Sequence, residues 1–180
     1  MRLYTVGHST RSAAELVQLL REHCVGLVLD VRRFPQSRRH PQFNIESLPG
    51  VLGDSGIGYQ HVEALGGRRK RRLTAEASPN TGWNVEGFRG YADYAMTPPF
   101  HQALQSLLNL AERHTVALMC AEALWWQCHR RIISDYLLVR GVEGIHILGP
   151  DEAKLAGLTT GAEPQADGSI HYPPAQARLL

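Results

Sequence analysis

The hydrophobic pattern of this chain alternates between short apolar runs and segments with helical spacing. The runs at 3–6, 26–31, 115–119 and 144–148 are nearly uninterrupted, which is typical of strands buried on both faces of a parallel sheet. Between them, apolar residues recur at intervals of three and four, as on one face of a helix. Strands that alternate with helices predict an α/β fold, a single domain with a mostly parallel sheet and helices on both faces.

Local signals mark the ends of the predicted helices. Ser12 opens a capping box at the first helix, and Thr97, followed by two prolines, marks the start of another. The stretch 87–96 predicts one or two helical turns. Apolar spacing over 127–140 predicts a further helix, which Gly141 ends.

Two regions are less regular. Prolines and glycines interrupt residues 34–83, where we predict a long loop region with one short strand near 57–62. The periodic signal then fades near the C-terminus, and we predict a short helix over 151–158. The predicted organisation is an α/β domain over 1–150, with 151–180 as a C-terminal extension packed on that domain or trailing from it.

Positive charge is concentrated in the first half of the chain. Residues 1–75 hold 12 of the 19 Lys and Arg but only 6 of the 17 acidic residues, which favours an anionic partner. Five of these cations form one tract, Arg68, Arg69, Lys70, Arg71 and Arg72. We interpret this tract either as a solvated loop or as a nucleic-acid-binding loop that displaces counterions from phosphates.

The sequence predicts a cytoplasmic protein that does not cross a membrane. The start of the chain passes directly into strand-like sequence, and no apolar run is long enough to span a bilayer. The three cysteines are an odd number, which indicates reduced thiols rather than a set of disulfides.

Side chains that can bind or transfer charge follow three of the predicted strands. They come after the first strand, after the second, and in the segment 120–130 that follows a later one. Because the carboxyl ends of parallel strands lie at one edge of a sheet, we expect these loops to converge where open α/β sheets bind ligands.

The residues in these loops are of the types expected at a site that acts on a phosphate-bearing substrate. Thiols are candidate nucleophiles, and carboxylate and imidazole groups are candidate acid–base catalysts. The candidate catalytic residues are Cys120, Glu122, His129, His8 and Cys128. The candidate substrate-binding residues are Ser9, Asp30, Arg32, Arg130 and Trp126.

Structural roles explain some of these residues equally well. Asp30 could cap N–H groups or pair with Arg32, and Cys120 and Cys128 could be ordinary buried thiols. The two cysteines, with Glu122 and His129, also suggest zinc, but the spacing lacks a paired C-x-x-C motif. We therefore assign no metal ligand from the sequence; no cofactor is firmly implied, and a divalent metal stays open.

Six motifs in matching order resemble the uncharacterised family called domain of unknown function 488. They are TVGHS at 5–9, DVR at 30–32 with Pro35 and Ser37, LGG at 65–67, FRGY at 88–91 with MT at 96–97, CAE at 120–122 and CHR at 128–130. The resemblance covers about residues 1–150 and implies a single α/β domain with these loops at the family's site. It supplies no reaction. The apolar Leu-Trp-Trp at 124–126 departs from the family pattern of acidic and proline residues, which implies a different substrate selection.

Three functional hypotheses follow, in order of preference. The first is a cytosolic enzyme, or an enzyme-like domain, that acts on nucleic acid or a nucleotide-like phosphate-bearing substrate. The second is a non-catalytic nucleic-acid-binding module. The third is a thiol-dependent sulfurtransferase or phosphatase, for which the similarity is weak because Arg130 lies ten positions after Cys120, too far for one tight anion-binding loop. The sequence does not define an oligomeric state.

Overall fold

The chain alternates strands and helices as its apolar pattern predicts. The structure, a computed structural model, describes residues 1–69 and 77–174. In chain order the elements are β1 (Arg2–Gly7), α1 (Ala13–Glu22), β2 (Leu27–Asp30), α2 (Leu48–Gly53), β3 (Gly58–His61), α3 (Glu86–Ala95), α4 (Pro98–Ala111), β4 (Val116–Cys120), α5 (Arg130–Val139), β5 (Glu143–Gly149), β6 (Glu152–Leu155), β7 (Glu163–Pro164) and β8 (Ile170–His171). One-turn 3₁₀ helices occupy Pro41–Phe43, Glu63–Leu65 and Trp125–Gln127. None of the helices in the described ranges is long and apolar enough to cross a membrane.

Six strands form one mixed sheet at the centre of the domain. Their order is β3-β2-β4-β1-β5-β6, and the first five are parallel, while β6 pairs antiparallel with β5. The central strands β2 and β4 are buried along their whole length. The carboxyl ends of the five parallel strands therefore lie at one edge of the sheet, as the fold class predicts.

Each face of the sheet packs against its own set of helices. Leucines of α1 and α2 form one core with the strand residues on their side, and apolar residues of α3, α4 and α5 form the other. Helices on both faces confirm the predicted doubly covered sheet. At the start of α1, the side chains of Ser12 and Glu15 complete the predicted capping box.

The predicted helix over 151–158 is wrong, because this segment forms the edge strand β6. A tight turn at Pro150 and Asp151, with Asp151 at a φ of 55°, returns the chain antiparallel to β5. Pairing with the open edge of β5 satisfies backbone groups that a short, exposed helix would leave to solvent. Tertiary pairing here outweighs a weak local helix signal.

The loop region predicted over 34–83 contains more structure than the sequence suggested. The predicted short strand is β3, but α2 was missed, although Leu48 and Leu52 have helical spacing and both are fully buried. The two glycines of this six-residue helix obscured the pattern. The last predicted helix, 127–140, begins later, at Arg130, because a 3₁₀ turn precedes it.

The described part of the C-terminal extension packs on the same domain. Tyr172 donates a hydrogen bond from its hydroxyl to Asp135 of α5 at 2.8 Å. The hydroxyl of Tyr136 accepts from the backbone N–H of Ile170 at 3.0 Å. Ile170 and Tyr172 are buried in the core on the α5 face, so the segment that follows β6 covers this helix.

Gly7 marks a close contact between the end of β1 and the loop after β4. A Cβ atom at this position would overlap the carbonyl oxygen of Glu122 and lie 2.8 Å from the Cα of Ala123. Both neighbours are main-chain atoms, which cannot yield as the end of a flexible side chain can. Glycine at position 7 therefore allows the two segments to meet.

Replacement of Gly7 by alanine is expected to lower the free energy of unfolding by about 3 kcal/mol, because two backbone segments must separate. The control Gly87→Ala, at an exposed position of α3 with open space around it, is expected to raise it by up to about 1 kcal/mol. Urea unfolding followed by circular dichroism measures both changes. A Gly7→Ala protein as stable as the wild type would contradict the close contact.

Candidate functional site

The loops after β1, β2 and β4 meet at the carboxyl edge of the sheet. The backbone N–H of His8 donates to the carbonyl of Cys120 at 2.9 Å, and that of Ser9 donates to the carbonyl of Ala121 at 2.8 Å. On the other side of β4, the N–H of Val31 donates to the carbonyl of Met119 at 2.9 Å. These bonds extend the strand pairing past the strand ends, and the predicted convergence of the loops is confirmed.

Asp30 and Arg32 form a buried ion pair at the end of β2. The Nε of Arg32 donates to Oδ1 of Asp30 at 2.9 Å, and Nη2 donates to Oδ2 at 2.5 Å. The hydroxyl of Tyr59 donates to the same carboxylate at 2.7 Å. Burial disfavours the charged guanidinium, but Asp30 more than offsets it and raises the pKa of Arg32. The pairing that the sequence left as an alternative is therefore present.

His8 is held as a neutral imidazole beside this pair. Arginine can only donate, so Nη1 of Arg32 donates to Nε2 of His8 at 3.3 Å, and Nδ1 carries the hydrogen that it shares with the carbonyl of Ser9 at 3.0 Å. The ring stacks on Phe43, with centroids 4.2 Å apart. Burial, and then the charge of Arg32, lower the pKa of His8 to about 4. Its role as an acid–base catalyst stays a prediction.

Two thiols and an imidazole form a compact group at the centre of the converging loops. Cys120 ends β4, while Cys128 and His129 lie immediately before α5. The Sγ atoms of Cys128 and Cys120 lie 3.5 and 3.9 Å from Nδ1 of His129. The three donor atoms all lie within 4.8 Å of one another. We call these three residues the thiol–imidazole cluster.

The orientation of His129 is fixed from the opposite side of the ring. Its Nε2 lies 2.9 Å from the carbonyl oxygen of Val31, and a carbonyl only accepts, so Nε2 carries the hydrogen. In the neutral form of the ring, Nδ1 therefore presents its lone pair to the two thiols. The centroids of the Tyr91 ring and the imidazole are 4.8 Å apart. A Cβ atom at Gly67 would lie 2.7 Å from Nδ1. Glycine of the LGG motif thus keeps the space beside Nδ1 clear.

The two thiols differ in acidity. The hydrogen bond with Cys128 and burial raise the pKa of Cys120. Burial also opposes ionisation of Cys128, but the hydrogen bond from Cys120 and the charge of Arg130 help to outweigh it and lower the pKa of Cys128. Both side chains are nearly inaccessible, with exposed fractions of 7% for Cys120 and 3% for Cys128.

Arg130 supports the loop that carries the cluster. Its guanidinium donates to the carbonyls of Glu122 and Ala123 and, at 3.3 Å, to the hydroxyl of Thr5. It is 1% exposed, and within the described parts of the chain no carboxylate forms an ion pair with it. A buried and unneutralised positive charge therefore lies beside the cluster. Direct binding of a substrate by Arg130 stays a prediction.

The remaining predicted residues lie on the solvent side of the same loops. The side chain of Glu122 is exposed, and Ser9 is half-buried with a φ of 50°. Trp126 is 39% exposed, whereas its neighbour Trp125 stacks against His146 with centroids 4.3 Å apart. Adjacent tryptophans thus face different surroundings, and Trp126 is the one available to a ligand.

The predicted nucleic-acid-binding tract begins within the described residues and continues outside them. Arg68 is exposed. The guanidinium of Arg69 donates from Nε to the carbonyl of Gly66 at 2.8 Å, and it lies 4.0 Å from the centre of the Tyr94 ring. The other three cations of the tract lie outside the described residues: Lys70, Arg71 and Arg72.

Two further arginines, neither of which was among the candidate site residues, lie at the same sheet edge. Arg11 donates from Nη2 to the carbonyl of Leu148 at 2.5 Å, close to the end of β5. Arg33 donates from Nη1 to the carbonyl of Arg68 at 3.2 Å, which joins the loops after β2 and β3. Arg33 follows Arg32 in one of the loops that the sequence predicted to converge, whereas no sequence signal singled out Arg11.

The family comparison matches the part of the chain that carries the cluster. A family model described as "Domain of unknown function DUF488" matches residues 12–137. The chain belongs to the DUF488 family. The matched span includes the DVR, LGG, CAE and CHR motifs, while His8 precedes it. No protein of the curated set and no solved structure matches this DUF488 protein.

A second buried histidine of the DUF488 protein lies behind the cluster and was also missed. Nδ1 of His146, in β5, lies 2.8 Å from the hydroxyl of Thr5, its register partner in β1. Burial, and then the charge of Arg130, lower the pKa of His146 to about 4. The sequence could not reveal this contact, because it depends on the pairing of two strands that are distant along the chain.

His146 is expected to make the stability of the protein depend on pH. In the unfolded chain its pKa is near 6.5, so between that pH and about 4 the unfolded state binds more protons than the folded state. Stability therefore falls as the pH drops through this range. His146→Gln should reduce the loss of unfolding free energy between pH 7 and pH 5 by about 2 kcal/mol.

Urea unfolding at the two pH values measures this difference. His114→Gln, at an exposed position before β4, is the control and should leave the pH dependence unchanged. An equal pH dependence in His146→Gln and wild type would mean that His146 is not held neutral in the fold.

Proposed function

We propose that this DUF488 protein is an enzyme that acts on a phosphate-bearing substrate, a nucleotide or a nucleic-acid strand, at the carboxyl edge of its sheet. The observation that carries this proposal is the position of the thiol–imidazole cluster, at the point where the loops after three parallel strands meet. Ligands of open α/β sheets bind at this edge, and a group of perturbed titratable residues there marks a candidate reaction centre.

The charge of the surrounding loops supports an anionic substrate. Arginines extend from the loops after β1, β2 and β3 and from the start of α5, and one carboxylate, Asp30, is already paired with Arg32. A sheet edge with an excess of positive charge attracts phosphate groups and raises their local concentration. Arg32 and Arg130 contribute mainly through this field, because protein acceptors already bind the terminal nitrogens of both guanidinium groups. Nε of Arg130 is buried and has no hydrogen-bond partner among the described residues.

Exposed side chains are left for direct contact with the substrate. Arg68 can bind a phosphate group, and Trp126 offers a ring on which a base can stack. Glu122 is the exposed carboxylate next to the cluster, and we assign it the role of general acid or base. The two thiols belong to the reaction centre, but their burial makes them poor candidates for direct attack on a large substrate.

The geometry does not favour a thiol-dependent sulfurtransferase or phosphatase. Such enzymes surround the attacking sulfur with anion-binding groups, whereas the guanidinium of Arg130 is occupied by Thr5 and by loop carbonyls. A non-catalytic nucleic-acid-binding module shares the same basic edge and differs from an enzyme only in the absence of turnover. Turnover of a nucleotide or an oligonucleotide distinguishes the enzyme from the binding module.

Glu122→Gln is expected to lower turnover by roughly 100-fold or more, because it removes the proton transfer but keeps the size of the side chain. The probes are the ribonucleoside 5′-monophosphates and 5′-triphosphates and one single-stranded DNA and one RNA oligonucleotide of mixed sequence. Chromatography of the products measures turnover, and fluorescence anisotropy of labelled oligonucleotides measures binding.

Glu112→Gln is the matched control, since this exposed carboxylate follows α4 at the opposite end of the domain. It should retain the wild-type rate. Salt-dependent binding of the oligonucleotides without any turnover would show that the protein is a binding module and not an enzyme acting on these probes. Equal turnover rates in Glu122→Gln and wild type would contradict the assignment of Glu122 as general acid or base.

A further inference from the structure

In the thiol–imidazole cluster, two thiol groups face a single nitrogen acceptor. The imidazole of His129 has a single lone pair on Nδ1, because Nε2–H is bonded to the carbonyl of Val31. One lone pair accepts one good hydrogen bond, yet the Sγ atoms of Cys120 and Cys128 both lie within 4 Å of it. Three donor atoms that point at one position are the arrangement expected around a cation.

The distances agree with those of a tetrahedral zinc ion. Zinc–sulfur and zinc–nitrogen bonds of about 2.3 and 2.0 Å place a sulfur and a nitrogen ligand roughly 3.6 Å apart. The two separations in the cluster are 3.5 and 3.9 Å, and the three donor atoms fit within 4.8 Å. Small side-chain movements would complete this geometry.

The surroundings of His129 are those of a metal ligand. Histidine ligands usually donate their other N–H to a carbonyl or a carboxylate, which fixes the ring and its tautomer. The bond from Nε2 to the carbonyl of Val31 does this here. A side chain at position 67 would collide with Nδ1, and glycine is present at that position.

We propose that Cys120 Sγ, Cys128 Sγ and His129 Nδ1 bind one Zn²⁺ ion. Two thiolates and an imidazole are the soft ligand set that favours zinc over magnesium or calcium. Among the Cys, His, Asp and Glu residues that the structure describes, no fourth one joins this group. Three protein ligands with a position left for water or substrate are typical of a catalytic rather than a structural zinc site.

The local charge favours an anion at the fourth coordination position of the zinc ion. Two thiolates balance the charge of Zn²⁺, so the buried guanidinium of Arg130, which has no carboxylate partner in the described ranges, leaves the region with one positive charge. A hydroxide ion or a substrate oxygen on the zinc would neutralise it. Zinc binding does not depend on the reaction proposed above, although an anion-accepting zinc would suit that reaction.

The test measures metal binding by the purified full chain, without any substrate. The reduced protein is stripped of metal with a chelator and titrated with Zn²⁺, and native mass spectrometry and elemental analysis give the stoichiometry. One Zn²⁺ per chain is expected. Cys128→Ser should weaken binding at least about 100-fold, whereas Cys24→Ser, at an exposed cysteine away from the cluster, should bind zinc like the wild type.

Two measurements on the wild-type protein keep the test independent of how well the variants fold. Co²⁺ in place of zinc should give the thiolate charge-transfer band and the strong visible absorption of a tetrahedral site. The Zn²⁺ stoichiometry of the wild-type protein is the other measurement. Failure to bind one equivalent of Zn²⁺, or a weak octahedral cobalt spectrum, would overturn the proposal, whatever the outcome of the turnover assay.

Discussion

The candidate site depends on the backbone contact between the end of β1 and the loop that follows β4. Two hydrogen bonds, from His8 to Cys120 and from Ser9 to Ala121, continue the parallel pairing past the last strand residues. Gly7 allows this contact because no side chain separates the two segments. The position of the β4 loop determines where Cys120 lies, and the start of α5 brings Cys128 and His129 to the same place.

Arginines hold this arrangement together from inside the protein. Arg32 links the β2 loop to His8 and to the carbonyl of Phe43, and Arg130 links α5 to the β4 loop. A buried charge is costly unless it is hydrogen-bonded or paired; Asp30 neutralises Arg32, whereas Arg130 has only neutral acceptors. A positive field therefore remains at the sheet edge, and this field is our reason for proposing an anionic ligand.

The sequence predicted the features that follow from local pattern and from fold class. Buried apolar strands, the Ser12 capping box and the rule for the edge of parallel sheets led to the α/β fold and to the converging loops, and the family resemblance is confirmed. Features that depend on tertiary pairing were missed or wrong: β6 in place of a helix, and the contact of His146 with Thr5. The sequence left the pairing of Arg32 with Asp30 as one alternative and presented Arg130 as a free cation, because it does not show which backbone carbonyls lie within reach of these side chains.

The imidazole ¹⁵N chemical shifts of His129, assigned with a His129→Gln variant, test the central arrangement most directly. In the metal-free, reduced protein we expect the neutral form of the ring to carry hydrogen on Nε2 and none on Nδ1, because Nε2 donates to the carbonyl of Val31 and the thiols face Nδ1. A ring with hydrogen on Nδ1 alone, or one that exchanges freely between tautomers as in an unfolded peptide, would contradict the convergence of these three segments on one lone pair.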